Sequence, residues 1–308
     1  MGTLQVVRWP LKKVLVGGGI VIVALGVGLG VGLGVGLKSR GGSGKENATE
    51  SSNVSNVSNI TTAKWQPGVE TTWQIELLYA LNDTSVDVEV YDIDLFDNAA
   101  TTISALHDAG RKVICYFSAG TYENWRPDKG SFEASDLGKT VSGWPEERWV
   151  NISSTNVRKI MARRLDLAVG KACDGVDPDN VDGYDNDNGL GLTEEDSIQY
   201  VNWLADEAHA RNMSVGLKNA GEIIPAVLAN MQWSVNEQCV QYDECDMFAV
   251  FAQTGKPVFH IEYPKGDSTD NELNVTAAQR DKFCTFSGSG NFSTLLKNMD
   301  LDNWMERC

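Results

Sequence analysis

The chain has 308 residues, 42% of them hydrophobic, which is material for one large domain or two small ones. Its formal charge is −16, and the part from Trp65 onward carries 40 Asp and Glu against 19 Lys and Arg. That sign excludes nucleic acid as a partner and suits a cationic one, because a field of one sign concentrates ligands of the other.

Residues 1–13 form a short tail, expected to be cytoplasmic. Val14 to Leu37 is an uncharged run of Val, Leu, Ile and Gly. As a helix it would be about 36 Å long, enough to cross a bilayer with some tilt. It exceeds the ~7–15 residues of a signal-peptide core and has no A-x-A-like site, so it reads as an uncleaved transmembrane signal anchor. Basic residues flank it on both sides, with Arg8, Lys12 and Lys13 before it and Lys38, Arg40 and Lys45 after it, so charge does not set its orientation. The sequons do. Asn47, Asn53, Asn56, Asn59, Asn82, Asn151, Asn212, Asn274 and Asn291 each begin N-x-S/T, and all lie after the run. A single-pass type II protein of the cell membrane follows as the expectation, with its body extracellular. Residues 38–64 are polar and Ser/Asn/Thr-rich, a glycosylated, disordered stalk with nothing to bury.

From Trp65 short apolar runs alternate with helical patterns. VDVEVYDIDLF (86–96) reads as a strand, and Asn98 to Ala109 as a helix stopped by Gly110. KVICYFSAG (112–120) is a buried strand. A helix begins at Asn156, with Val157, Ile160, Met161, Leu165 and Ala168 on one face. DGVDP (174–178) is a short strand. Thr193 and Asp196 form a capping box before a helix carrying Ile198, Val201, Leu204, Ala205 and Ala208. MSVGLKN (213–219), MQWSVNEQC (231–239) and KPVFHIEYP (256–264) are strands, separated by helical stretches at 223–229 and 243–254. A last helix spans Thr276 to Phe283. This alternation implies a parallel sheet with helices outside it, and residues 65–308 fit a (β/α)8 TIM barrel better than an open doubly wound sheet. No glycine-rich nucleotide loop follows any strand.

Six cysteines match an oxidising compartment and no zinc spacing. Fifteen pairings are open; the expected set is a local clip of Cys239 and Cys245, a C-terminal tie of Cys284 and Cys308, and Cys115 with Cys173.

The stretch GVDPDNVDGYDNDNG (175–189) is dense in aspartate. An EF-hand reading fails in both frames, because the first ligand would fall on Pro178 or Tyr184. Asp185 and Asp187 read as a solvated Asn/Gly-rich turn. Asp177 and Asp179 flank a proline at a strand end, where a barrel places its chemistry. Asp92, Asp94 and Asp97 end another strand, Glu237 a third and Glu262 a fourth, all expected to point into one mouth. Paired carboxyl groups are what glycoside hydrolysis needs, one as acid and one as nucleophile or base, with no cofactor. Tyr91, Tyr116, Tyr122, Trp125 and Tyr184 are candidate platforms for sugar rings. His107, His209 and His260 form no site, and no G-x-S-x-G is present.

YDIDLFD, VICYFSAGTYENWR, GVDPDNVDGY, VGLKN and SVNEQC together resemble glycoside hydrolase family 114, over nearly the whole body. The resemblance implies a TIM-barrel endo-α-1,4-polygalactosaminidase acting on a cationic, galactosamine-rich polysaccharide of the galactosaminogalactan type. It implies Asp179 and Glu237 as the catalytic pair. It further implies Asp92, Asp94, Tyr116, Asp177, Asp182, Lys218 and Asn219 in the cleft, to which Tyr122, Tyr184 and Glu262 are added as substrate-binding candidates. A retaining mechanism is expected, with Asp179 as nucleophile and Glu237 as acid/base, in a monomeric catalytic domain. The rival reading is a carbohydrate-binding surface protein without activity on the same scaffold.

Overall fold

The computed structural model describes residues 65–308. The expected tail, anchor and stalk lie outside the described residues. Among the described residues no helix is long and apolar enough to cross a membrane.

The strands in chain order are β1 (Trp73–Glu76), β2 (Val90–Asp94), β3 (Lys112–Ser118), β4 (Thr121–Glu123), β5 (Leu137–Val141), β6 (Trp144–Val150), β7 (Gly175–Asp179), β8 (Ser214–Lys218), β9 (Trp233–Glu237), β10 (Val258–Glu262), β11 (Phe292–Lys297) and β12 (Met305–Arg307). One sheet runs β1-β2-β3-β7-β8-β9-β10-β11-β12. Its first eight strands are parallel and follow chain order, and only β12 is antiparallel. The result is an α/β barrel, as the alternation of elements implied. Its closure is unusual: β1 and β11 share no ladder. Side chains cross the gap instead, with Trp73 Nε1 donating to Ser293 O at 2.8 Å and Ser293 Oγ to Thr71 O at 2.8 Å.

The helices are α1 (Ala100–Asp108), α2 (Thr155–Lys171), α3 (Glu194–Ala210), α4 (Ile224–Val227), α5 (Cys239–Tyr242), α6 (Cys245–Gln253) and α7 (Ala277–Cys284). Their starts follow side-chain chemistry. Ser154 caps α2, accepting from Asn156 N and Val157 N, and Thr193 with Asp196 forms the expected capping box on α3. No helix lies between β1 and β2.

Two apolar layers result. Outward-facing residues such as Ile93, Cys115, Val176 and Leu217 pack under the helices. Inward-facing Trp73, Ile75, Val90, Ile114, Trp233, Val235, Phe259 and Ile261 fill the barrel. Trp233 fits because its neighbours lack side chains: a Cβ on Gly175 or Gly216 would sit 2.5 or 1.9 Å from its indole.

An arm of three antiparallel strands, β4-β6-β5, interrupts the barrel between β3 and α2. The disulfides are the expected three: Cys115–Cys173, Cys239–Cys245 and Cys284–Cys308. Of the sequons in the described body, Asn82, Asn212, Asn274 and Asn291 are exposed and Asn151 is half-buried.

Candidate active site

Neighbouring strands end in the residues that matter. β7 ends in Asp179, β8 in Lys218 and β9 in Glu237. Each next residue is left-handed without being glycine: Asn180 at φ 59°, Asn219 at φ 50° and Gln238 at φ 65°. Such backbone is uncommon outside Gly and clusters where geometry is held for function.

Lys218 is the hub. Its ammonium lies 3.3 Å from Asp179 Oδ1 and 2.9 Å from Glu237 Oε2, and it is almost wholly buried. Burial opposes its charge, but Asp179, Glu237 and Asp177 outweigh burial and hold it protonated well above the ordinary lysine range. Asp179 also accepts from Tyr116 Oη at 2.8 Å and from the Asn180 N–H at 2.7 Å. Glu237 accepts from Asn219 Nδ2 at 3.2 Å and from the Tyr263 hydroxyl, while its own N–H donates to Asn219 Oδ1 at 2.9 Å. Burial alone would raise the Glu237 carboxyl; Lys218, Tyr263 and Asn219 together bring it below its usual value, so it is ionised in the free site. Burial, with Asp179 and Glu237 respectively adding to it, keeps the Tyr116 and Tyr263 hydroxyls protonated as donors.

Asp92 and Asp177 lie beneath this triad, both fully buried. No N–H or hydroxyl reaches their four oxygens among the described residues. Two carboxylates cannot bond each other, but a carboxylic acid and a carboxylate can. Burial and the Asp177 charge push Asp92 far up, so it keeps its proton and donates it to Asp177; burial, opposed by Lys218, takes Asp177 to about 7. Asp182, half-buried in the loop after β7, is raised to about 6 by burial and then by Asp179. Tyr184 stands farther along that loop and donates to Glu222 Oε2 at 2.7 Å.

Several expectations change. Glu262 does not point into the mouth. Phe259 and Ile261 face the barrel interior, so Glu262 faces outward with His260, accepting from the Val240 N–H at 2.8 Å and lying 3.0 Å from His260 Nε2. Asp94 faces inward but is committed to Arg126, which donates to both its oxygens at 3.0 and 2.6 Å. Tyr91 is also on the outer face, its hydroxyl donating to Val86 O. Tyr122 packs edge-on against Phe132. Trp125, beside the Arg126 guanidinium, is half-buried. The acidic turn is a turn: Asp187 pairs with Lys139 at 2.6 Å. The described group closest to a metal-ligand set is Cys239, Cys245 and His260, and its two cysteines are joined in a disulfide.

Two contributors were not foreseen. Tyr263 lies one residue beyond β10, in phase with Phe259 and Ile261, and that phase was its only signal. Glu147 comes from the arm, whose strands carry little apolar alternation. The arm is fastened to the site: the Ala119 and Gly120 N–H groups donate to Asp179 O at 2.8 and 3.0 Å, and a Cβ on Gly120 would sit 1.6 Å from Asn180 O.

The site is therefore a carboxylate pair organised around one buried lysine at the mouth of an α/β barrel. No curated protein matches this chain. The solved structure of Aspergillus fumigatus Ega3 in complex with galactosamine is similar, at 71% identity and a TM-score of 0.80, over 81% of this chain and 100% of that one. The glycoside hydrolase domain of PelA from Pseudomonas aeruginosa shares the fold, at 11% identity and a TM-score of 0.58, over 76% of this chain and 97% of that one. The family model for glycoside hydrolase family GH114 matches residues 54–308. With that match spanning the barrel and both carboxylates, the chain belongs to glycoside hydrolase family GH114 and is a glycoside hydrolase.

Proposed function

We propose that the protein is an endo-acting, retaining hydrolase of α-1,4-galactosaminidic linkages in a cationic, galactosaminogalactan-type polysaccharide. The observation that carries this is the sharing of Lys218 by Asp179 and Glu237. Contacts of 3.3 and 2.9 Å to one nitrogen hold the two lysine-facing oxygens within roughly 6 Å of each other, a close approach compatible with the ~5–5.5 Å of retaining enzymes. Similarity to a protein solved with galactosamine supports the sugar, and the net charge of −16 supports a polymer bearing ammonium groups.

In this reading Asp179 attacks the anomeric carbon, steadied by Tyr116 and Lys218. Glu237 gives a proton to the departing glycosidic oxygen and later takes one from the attacking water. Because Glu237 is ionised in the free site, it must gain its proton as the sugar enters. Expulsion of water by the ring supplies that rise, since desolvation favours the neutral acid. Asp92, Asp177 and Asp182 surround the pair with acid, and Asn219 fixes Glu237.

The length of the apolar run at 14–37 and the nine sequons after it support a membrane-anchored protein with its barrel outside the cell; the catalytic domain is proposed to act as a monomer.

The test is to incubate the full-length chain with partly deacetylated galactosaminogalactan and follow reducing ends, product length and the anomer first released. Oligosaccharides released as the α-anomer, and none from Asp179→Asn or Glu237→Gln, are expected. A folded chain that binds the polymer without cutting it would leave the carbohydrate-binding reading. Release of the β-anomer would replace retention by inversion.

A further inference from the structure

The arm adds to the mouth a carboxyl group that the barrel strands do not supply. Register places Glu147 of β6 directly opposite Glu123 of β4. Like charges facing each other across antiparallel strands are destabilising unless something offsets them. Glu123 has its cations: Arg126 at 2.8 Å and Arg164 at 3.7 Å. Glu147 pairs with no cation among the described residues. Its Oε2 accepts from Thr121 Oγ1 at 2.8 Å, its Oε1 meets no donor among the described residues, and the side chain is partly open to solvent.

Its placement is nonetheless fixed, and fixed to the site. Thr121 Oγ1 lies 2.5 Å from Ser118 Oγ, which accepts from Asn180 Nδ2 at 3.0 Å; the Asn180 N–H donates to Asp179 Oδ1 at 2.7 Å. Hydrogen bonds thus run from Glu147 to Asp179. Burial, eased by the Thr121 hydroxyl and reinforced by Glu123 and Asp179, takes the Glu147 carboxyl to about 7. A carboxyl so placed, beside the reacting pair and without a cation of its own, is best satisfied by a positive group on the substrate.

We propose that Glu147 is a specificity-determining residue that receives the ammonium group of a galactosamine unit bound beside Asp179, and so selects the free amine over its N-acetyl form. This rests on the galactosamine-polymer reading above. An acetamide brings no charge to this corner and would set its methyl group against two carboxyl groups. The groups facing Glu147 are Thr121 and Glu123 on β4, Arg126 just after it, Tyr116 on β3 and Asp179 on β7. Preference for the amine should therefore strengthen as pH rises through neutrality and Glu147 ionises.

The experiment compares Glu147→Gln with the parent, both as the full chain. It measures kcat and KM on fully deacetylated galactosamine oligosaccharides and inhibition by their N-acetylated counterparts. The expected result is a loss of about 10–100-fold in kcat/KM on the free amine, mostly through KM, with inhibition by the acetylated ligand changed less than about twofold. Equal weakening of both ligands, as a structural role would give, overturns the proposal, and so does no change in either. If Glu147→Gln does not fold, Thr121→Val serves. Loss of its hydroxyl raises Glu147 further, so the pH at which amine preference appears should move up; an unmoved profile overturns the proposal. A parent that cuts no galactosamine substrate refutes the substrate reading and the proposal with it. An active parent whose selectivity survives Glu147→Gln refutes the proposal alone.

Discussion

Replacing Lys218 with methionine tests the electrostatic logic of the mouth. The side chain keeps its length and loses its charge. Asp179 and Glu237 then remain at the barrel mouth, beside Asp177, with the cation at 3.3 and 2.9 Å gone. Breaking a buried pair by removing one partner costs roughly 3–5 kcal/mol. At ~2–4 °C per kcal/mol for a domain of this size, melting should fall by roughly 6–20 °C at neutral pH. The pH dependence is the sharper readout. In the parent, the lowered Glu237 contributes stability above its unfolded value of 4.5, lost as pH falls through the folded value. In the variant, burial is no longer opposed by Lys218, so the same carboxyl is raised and is relieved by protonation as pH falls. Both effects narrow the gap between parent and variant on acidification. Denaturant unfolding of both proteins from about pH 7 to about pH 4 measures it. A gap that is small at neutral pH, or that stays constant across this range, would refute the account of Lys218 as the counter-charge.

Tyr263→Phe removes a donor to Glu237 and leaves the ring. The Glu237 carboxyl should rise, the alkaline limb of the kcat/KM profile, where the general acid loses its proton, should move to higher pH, and activity should fall about 10–100-fold; an unmoved limb would show that the bond does not hold Glu237 ionised. Asp92→Asn replaces a protonated acid by a neutral isostere, so stability at pH 7 should change by less than about 1 kcal/mol. A loss several times larger would mean that Asp92 is ionised. Gly120→Ala forces a methyl against Asn180 O and should cost at least ~1–3 kcal/mol by overpacking. It should also lower activity with the barrel still folded, and full activity would show that the arm need not touch the strand end.

Much of the barrel was legible because strands β3, β7, β8, β9 and β10 are short runs set between helical patterns, α3 being opened by a clear capping box. The missing strands had no such mark. β1 is only WQIE, with polar residues at alternate positions, although all four are buried. β11 follows a glycine-rich turn and has no helix after it, β12 is a short strand of three residues, and the arm strands β5 and β6 are largely exposed or half-buried. Asp179 and Glu237 were recognisable as strand-end acids, and Lys218 and Asn219 only through the family resemblance of VGLKN. Glu262 was misplaced for a physical reason. FHIE alternates apolar and polar residues, but strands of a parallel barrel are buried on both faces, so the alternation does not reveal which set points inward. Glu147 was missed because its position depends on a cross-strand register that the sequence of the arm does not specify.

The seam between β1 and β11 has a consequence for how the molecule opens. The outer edge of β11 is covered by β12, whereas β1 has a backbone ladder only to β2. β1 is thus a sheet edge buried inside a protein, held by Trp73, Ser293 and the loop around Leu301. Thermal breathing should start there: amide exchange along β1 should outpace that of β8 and β9, and the barrel should unroll from this edge. The Cys284–Cys308 bridge fastens the last residue after β12 to α7, pinning one lip of the seam. Reduction would let that lip swing free and expose the unpaired edge to a second chain, making this bridge a guard against strand-to-strand aggregation.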